Sequence, residues 1–191
     1  MGELRVTGGI FKGRKILVPA REGARYTSSK VRAAIFNLIG DVAGYTVLDL
    51  FAGSGSLSIE ALSRGASRAV CVEKSRHMAE MLRENLKRFG LDKDCVVLHM
   101  DVIYALPALS RKGELFDLIL MDPPYDKGYV STTLEVLKKQ AVCRDDSLIV
   151  VERSKREQLP GFFGAENVRS RLYGDTAVSL IACGVKQGQK E

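Results

Sequence analysis

The chain contains no tryptophan, only two histidines (His77 and His99) and only four cysteines. Cys71, Cys95, Cys143 and Cys183 are scattered without close pairs, so neither a disulfide framework nor a zinc-type spacing is present, and no metal is expected. Cys71 and Cys183 fall in apolar strand-like runs and read as small core residues. No apolar run approaches the roughly eighteen residues of a membrane span, which excludes a membrane role of that kind. The opening Met1-Gly2-Glu3-Leu4-Arg5 has no apolar signal core, and reduced thiols without a signal lead to an expected cytoplasmic location. Gly2 does not start a myristoylation motif, because Val6 stands where Ser or Thr is required. Internal repeats and low-complexity segments are also absent.

What is present is an ordinary globular composition over 191 residues with an uneven charge. Hydrophobic residues make up 46%, which suits one α/β domain with at most a small appendage. The net charge is +6, from 29 basic and 23 acidic side chains. Residues 1–32 hold eight of the bases (Arg5, Lys12, Arg14, Lys15, Arg21, Arg25, Lys30 and Arg32) against Glu3 and Glu22, so the rest carries 21 of each sign. The whole excess therefore sits in one N-terminal segment, as the footprint of a polyanion-binding surface would. A solvated basic arm with no partner is the plainer reading.

Residues 1–27 are glycine-rich, with short β-like pieces at Leu4-Arg5-Val6 and Lys15-Ile16-Leu17-Val18. Thr27 or Ser28 can cap a helix running to Ile39, with Val31, Ala34, Ile35, Leu38 and Ile39 on one face. From Thr46 apolar strands alternate with helices. The strands are read at 46–51, 68–73, 95–100, 116–121 and 147–151. The helices are read at 56–63, 75–89 and 129–139, with residues 104–109 only weakly helical because of Pro107. This pattern predicts an α/β, doubly wound, mostly parallel Rossmann-like sheet of about seven strands. Val168 to Tyr173 and Ala177 to Cys183, flanking Gly174-Asp175, read as a closing C-terminal antiparallel hairpin. Residues 186–191 are expected to be a disordered tail.

Ligands of open α/β sheets lie beyond the carboxyl ends of the strands. Four acids fall there: Asp49, Glu73, Asp101 and Asp122. Asp49 opens Asp49-Leu50-Phe51-Ala52-Gly53-Ser54-Gly55, a glycine turn that lets backbone approach a ligand closely. Ser58 stands where a dinucleotide fingerprint wants glycine or alanine, which weakens a pyrophosphate reading, and Asp49 suits a cationic ligand better. Glu73 follows the glycines by about twenty residues, the separation of an acid that binds a ribose diol; it could equally cap the next helix. Asp101 could accept from an adenine amine or could cap the segment after it.

Asp122-Pro123-Pro124-Tyr125 is the most specific stretch. The prolines lack N–H donors, and Pro124 pushes Pro123 into an extended geometry, leaving the Pro123 carbonyl available as an acceptor beside Asp122. An exocyclic NH₂ donating to both would be held with its nitrogen free for attack, and Tyr125 could stack the ring that carries it. By itself the motif does not choose between guanine N2 and adenine N6.

With these motifs the chain resembles the class I S-adenosylmethionine-dependent methyltransferases, and more closely the RsmD family of bacterial 16S rRNA guanine-N2 methyltransferases. The likeness rests on Arg5-Val6-Thr7-Gly8-Gly9, Lys12-Gly13-Arg14-Lys15, Thr27-Ser28-Ser29-Lys30-Val31-Arg32 with Ile35-Phe36-Asn37, the Asp49–Gly55 turn, Glu60-Ala61-Leu62-Ser63-Arg64-Gly65-Ala66, Val72-Glu73, Asp122-Pro123-Pro124-Tyr125 and Tyr173-Gly174-Asp175-Thr176. It implies S-adenosylmethionine as cofactor, contacted by Asp49, Phe51, Ala52, Gly53, Ser54, Gly55, Glu73, Lys74, Asp101, Val102 and Asp122. It implies catalysis at Asp122, Pro123, Pro124 and Tyr125, with Arg5, Lys12, Arg14, Lys15, Arg25 and Arg32 on the RNA. The domain reading is a basic RNA-contacting extension over 1–27 and a methyltransferase domain over 28–185. The expected partner is 16S rRNA or the small ribosomal subunit, with no membrane and no metal, and a monomer is expected. One departure is Tyr26, where the family usually has proline. The alternatives are an adenine-N6 DNA methyltransferase and a non-catalytic RNA-binding assembly factor.

Overall fold

In the computed structural model, residues 2–19, 28–163 and 165–183 are described. Arg21, Arg25, Tyr26 and Thr27, and the tail at 186–191, lie outside the described residues. The chain starts with an antiparallel pair, β1 (Gly2–Arg5) and β2 (Lys15–Val18). α1 (Ser29–Ile39) follows, and the Ser28 hydroxyl accepts from the Val31 N–H at 3.1 Å to satisfy a free first-turn donor. The remainder alternates as the apolar periodicity predicts: β3 (Thr46–Asp49), α2 (Ser56–Ser63), β4 (Arg68–Glu73), α3 (Arg76–Phe89), β5 (Cys95–His99), α4 (Val102–Arg111), β6 (Phe116–Met121), α5 (Tyr129–Lys138) and β7 (Cys143–Ser154). Two short 3₁₀ turns lead to β8 (Val168–Tyr173) and β9 (Thr176–Ala182).

The main sheet has the order β5-β4-β3-β6-β7-β9-β8. β5 through β7 are parallel, whereas β9 runs antiparallel between β7 and β8. Three of its features were legible as predicted: the α/β class, the mostly parallel sheet and the closing hairpin. Alternate residues of each strand supply opposite faces. Val47 joins a core with α1, α2 and α3, while Leu48 joins one with α4 and α5. The chain builds β3, β4 and β5 outward in one direction, then crosses to place β6 on the other side of β3. That reversal opens a crevice between the ends of β3 and β6.

Three differences from the sequence reading have physical causes. α4 is a full ten-residue helix with Pro107 inside it, not a weak segment. The Asp101 carboxylate caps it through the Ile103 N–H, and burial of Val102, Ala105, Leu106 and Leu109 outweighs the one backbone bond that proline forfeits. β7 extends well beyond 147–151, because Cys143 pairs with Phe116 and the far end pairs with β9 through Ser154 and Thr176. The N-terminal segment is not an appendage. Val6 and Ile16 are buried in the same core as α1 to α3, and the Asn85 side chain of α3 bridges the Leu17 backbone to the Ser54 carbonyl.

Candidate active site at the strand ends

A cavity of about 510 Å³ occupies the crevice, within the range of small-molecule sites of roughly 300–1,000 Å³. The segment after β3 (Leu50–Ser54, Ser56 and Leu57) forms one wall, with Glu73 and Lys74 from the end of β4 and Asp101 and Val102 from the start of α4. Asp122, Pro123, Pro124 and Tyr125 form the opposite wall, together with Tyr129 and Glu152. Four acids and one lysine line the space, and that lysine is itself paired: Lys74 Nζ lies 2.8 Å from Asp101 Oδ2. The pairing holds the Asp101 carboxyl below its ordinary range, the Lys74 ammonium being the main cause. Such a lining favours a cationic ligand with hydroxyl or amine donors and disfavours a phosphate.

The glycine turn divides its work. Gly53 has φ +54° and donates its N–H to Glu73 Oε2 at 2.9 Å, while Glu73 Oε1 accepts from the Ser75 N–H at 2.6 Å. Glu73 therefore ties the turn to the end of β4, and its two oxygens retain further lone pairs for a diol. Gly55 is different. It lies outside the cavity lining at φ +86°, and a Cβ there would sit 2.2 Å from Leu82 Cδ1, so its glycine is required for α2 to pack on α3. Asp49 is also outside the lining. It is fully buried, accepting from the Ser58 hydroxyl at 2.6 Å, and its Oδ1 has no hydrogen-bond partner among the described residues. Burial pushes its carboxyl up to about 7; the nearby Asp122 and Glu73 add to this, and the Ser58 hydroxyl opposes it. The direct-contact reading of Asp49 and Gly55 is thereby corrected: both support the turn from beneath.

On the opposite wall Pro123 is buried, whereas Asp122 and Tyr125 are half-buried. Asp126 takes a left-handed φ of +55°, which Asp tolerates, and turns the chain toward α5. The Tyr125 hydroxyl donates to Glu152 Oε1 at 2.9 Å and lies 3.1 Å from Thr176 Oγ1. Burial raises the phenol well above its usual value, the Thr176 contact opposes this and the Glu152 and Asp122 carboxylates add to it, so Tyr125 stays protonated as a donor and a flat ring. Glu152, Thr176 and Ser58 were missed as site residues by the sequence reading. Glu152 follows the run Leu148 to Val151 just as the other acids follow their strands, so a search extended to the fifth strand would have found it.

The basic segment is split as well. Arg5, Lys12, Arg14 and Lys15 are exposed, with Lys15 Nζ 2.7 Å from Glu3 and Arg14 stacked over Phe89, 4.4 Å from its ring centroid. Arg32 is fully buried. Its Nε lies 3.2 Å from Glu60 Oε2, and its guanidinium also donates to the Arg5 carbonyl. The RNA-contact reading of Arg32 is corrected on that ground, since a guanidinium committed inside the core cannot reach a phosphate. Arg64 and both the amide and hydroxyl of Thr7 complete the Glu60 partners. Three motifs quoted for the resemblance thus converge on one interior charge cluster. Among the described residues no group of three or more His, Cys, Asp or Glu is arranged to hold a metal ion.

The family model described as conserved hypothetical protein 95 matches residues 4–182. The ribosomal RNA small subunit methyltransferase D of Escherichia coli (strain K12) is 35% identical over 160 residues, covering 83% of this chain and 79% of that protein. The YlbH protein of Bacillus subtilis (strain 168) is 35% identical over 179 residues, covering 93% and 97%. Among solved structures, the yhhF protein of Escherichia coli superposes with a TM-score of 0.81 at 31% identity, over 97% of this chain and 100% of that one. The match spans both walls of the cavity and the interior Glu60 cluster, and with the identities to these relatives it shows that the chain belongs to the conserved hypothetical protein 95 family, the RsmD family.

Proposed function

We propose that this protein transfers a methyl group from S-adenosylmethionine to the exocyclic N2 of a guanine in 16S rRNA, in an assembled or assembling small subunit in the cytoplasm. One observation carries the reading: the Asp122–Tyr125 station and the glycine turn with Glu73 and Asp101 face each other across a single acid-lined cavity. The names of relatives in the family, which act on small-subunit rRNA, support the same substrate class.

The lining fits the cofactor. Glu73 would offer carboxylate oxygens to a ribose diol, Asp101 would accept from the adenine amine, and the acidic field suits a sulfonium and an ammonium. When bound, the cofactor supplies an electrophilic methyl on a positively charged sulfur. Asp122 and the Pro123 carbonyl accept the two N2 hydrogens of the base, orienting the nitrogen lone pair toward that carbon. The cofactor would supply this methyl while its sulfur kept the S–C electron pair, and Asp122 with the Pro123 carbonyl would hold N2 as it released one proton to solvent. Tyr125 stacks the unstacked base, whose extrusion costs a few kcal/mol. The exposed Arg5, Lys12, Arg14 and Lys15, together with Arg25, grip phosphates.

Mapping methylated nucleosides in rRNA from cells lacking the protein tests this. Loss of one N2-methylguanosine from 16S rRNA, restored by the wild-type chain and not by Asp122→Ala, is expected. An unchanged 16S pattern, or loss of N6-methyladenosine from DNA, would refute it.

A further inference from the structure

The fold gathers the four cysteines, scattered in sequence, into two pairs. Cys71 and Cys95, on the neighbouring strands β4 and β5, have sulfurs 3.2 Å apart, and Cys143 and Cys183 have sulfurs 3.0 Å apart. The second pair arises from an irregularity in the β6–β7 ladder. Phe116 is abreast of Cys143 and Leu118 of Leu148, so a short run of β6 faces a longer one of β7 and the surplus residues loop out. The Ser147 hydroxyl donates to the Phe116 carbonyl, and the Ser147 carbonyl accepts from the Cys183 N–H at 2.8 Å. Cys143, at one foot of this loop, is thereby set beside Cys183, which follows the last residue of β9. Exposure separates the pairs. Cys71 and Cys95 are buried, out of reach of an oxidant, whereas Cys143 and Cys183 are half-buried at the end of the sheet away from the cavity. The Cys183 thiol donates to the Cys143 sulfur; this lowers the Cys143 value against the effect of burial and raises that of Cys183, to which burial adds. Cys143 is thus the more readily ionised sulfur, with a resolving thiol already in contact.

We infer that Cys143 and Cys183 form a reversible redox site that closes to a disulfide on meeting a peroxide or a small disulfide such as oxidised glutathione. The sulfurs need approach by only about 1 Å to reach the ~2.05 Å of that bond. With a peroxide, the Cys143 thiolate attacks one oxygen, the O–O bond breaks, and the departing hydroxide takes up the proton that Cys143 released. The Cys183 sulfur then attacks the sulfenic acid, the S–O bond breaks, and a second water leaves with the Cys183 proton. The two sulfurs give up two electrons and the peroxide is reduced by them. The bond links the start of β7 to the end of β9, closing the segment that carries Glu152 and Thr176, the two partners of the Tyr125 hydroxyl. Oxidation therefore staples the strands behind Tyr125, and thiol reductants release them.

The test treats the reduced full chain with hydrogen peroxide or oxidised glutathione, alkylates the remaining thiols after unfolding, and maps the peptides without reductant. A Cys143–Cys183 cross-link is expected, with Cys71 and Cys95 recovered alkylated. The oxidised chain should melt about 5–15 °C above the reduced one, because the link constrains a long loop of the unfolded chain. Dithiothreitol should cancel that rise. Cys143→Ser and Cys183→Ser, which keep a small polar side chain in place, should each show no rise. A Cys71–Cys95 link forming first would overturn the inference. So would Cys143 ending as a sulfinic acid or a glutathione adduct without a link to Cys183, or an equal rise in the Cys143→Ser chain. A Cys143–Cys183 link that leaves the melting temperature unchanged would refute the stapling.

Discussion

At the scale of single residues, the cavity separates binding from chemistry. Asp122→Ala should reduce kcat by about 10²–10³, the usual cost of losing one preorganised polar contact to the reacting group, while cofactor affinity changes only a few-fold. Calorimetry with S-adenosylmethionine and incorporation of labelled methyl measure the two separately, and near-normal turnover would remove Asp122 from the site. Asp49 makes a different prediction. Its folded-state value near 7 lies above the ordinary 3.8, so the folded protein binds this proton more tightly than the unfolded chain. Its contribution is present at low pH and is lost as pH rises from about 4 to 7. Wild type should therefore lose a few kcal/mol, on the order of 3, relative to Asp49→Asn between pH 5 and pH 8, read from urea unfolding. Parallel stability curves would show that Asp49 is not held protonated.

At the scale of elements, the α2 helix is what the N-terminal segment secures. Gly8 and Gly9 cross its last turn so closely that a Cβ on Gly9 would sit 1.8 Å from the Ser63 carbonyl oxygen. The Ile10 N–H donates to that carbonyl and the Phe11 N–H to the Ser63 hydroxyl. Beneath them Glu60 is held by Arg32, Arg64 and Thr7. Removing one member of such a buried pair leaves an uncompensated charge, so Arg32→Ala should cost about 3–5 kcal/mol in chemical unfolding. Arg76→Ala, which breaks the exposed pair with Glu80, should cost no more than about 0.5 kcal/mol. Similar losses for the two variants would contradict the burial of the cluster. The helix boundaries themselves were largely legible. α2 begins and ends where the glycines and the apolar spacing place it, and Ser75 and Gly90 bracket α3 as N-cap and left-handed C-cap. What the local pattern hid was α4, where Pro107 argued for a break and tertiary burial decided otherwise.

At the scale of the whole molecule, the question is which cations face a polyanion. With Arg32 withdrawn into the core, Arg5, Lys12, Arg14 and Lys15 are the exposed cations among the described part of the predicted RNA set. Neutralising Lys12 and Arg14 together should flatten the slope of log K against log salt for rRNA binding by about 0.7–0.9 per lost phosphate contact. An unchanged slope would take that turn out of the interface. With only these exposed cations of that set among the described residues to define a site, we expect better turnover on assembled or assembling subunits than on naked 16S rRNA. A strong preference for naked rRNA would count against that.

The alternation of apolar strands with amphipathic helices, the acids at four strand ends and the motif at Asp122 could all be read from the chain. These signals depend on local backbone geometry and on residue chemistry at short separations. Only the folded arrangement decided which charges face solvent and which face one another. Arg32 looks like any other base of a basic segment until Glu60, 28 positions later, claims it in the core. Asp49 looks like a ligand contact until Ser58 and the turn close over it. Glu152 acquires a neighbour in Tyr125 only when β6 and β7 align. In each case the deciding term is the cost of taking a charge out of water, and that cost is set by neighbours that are distant in sequence.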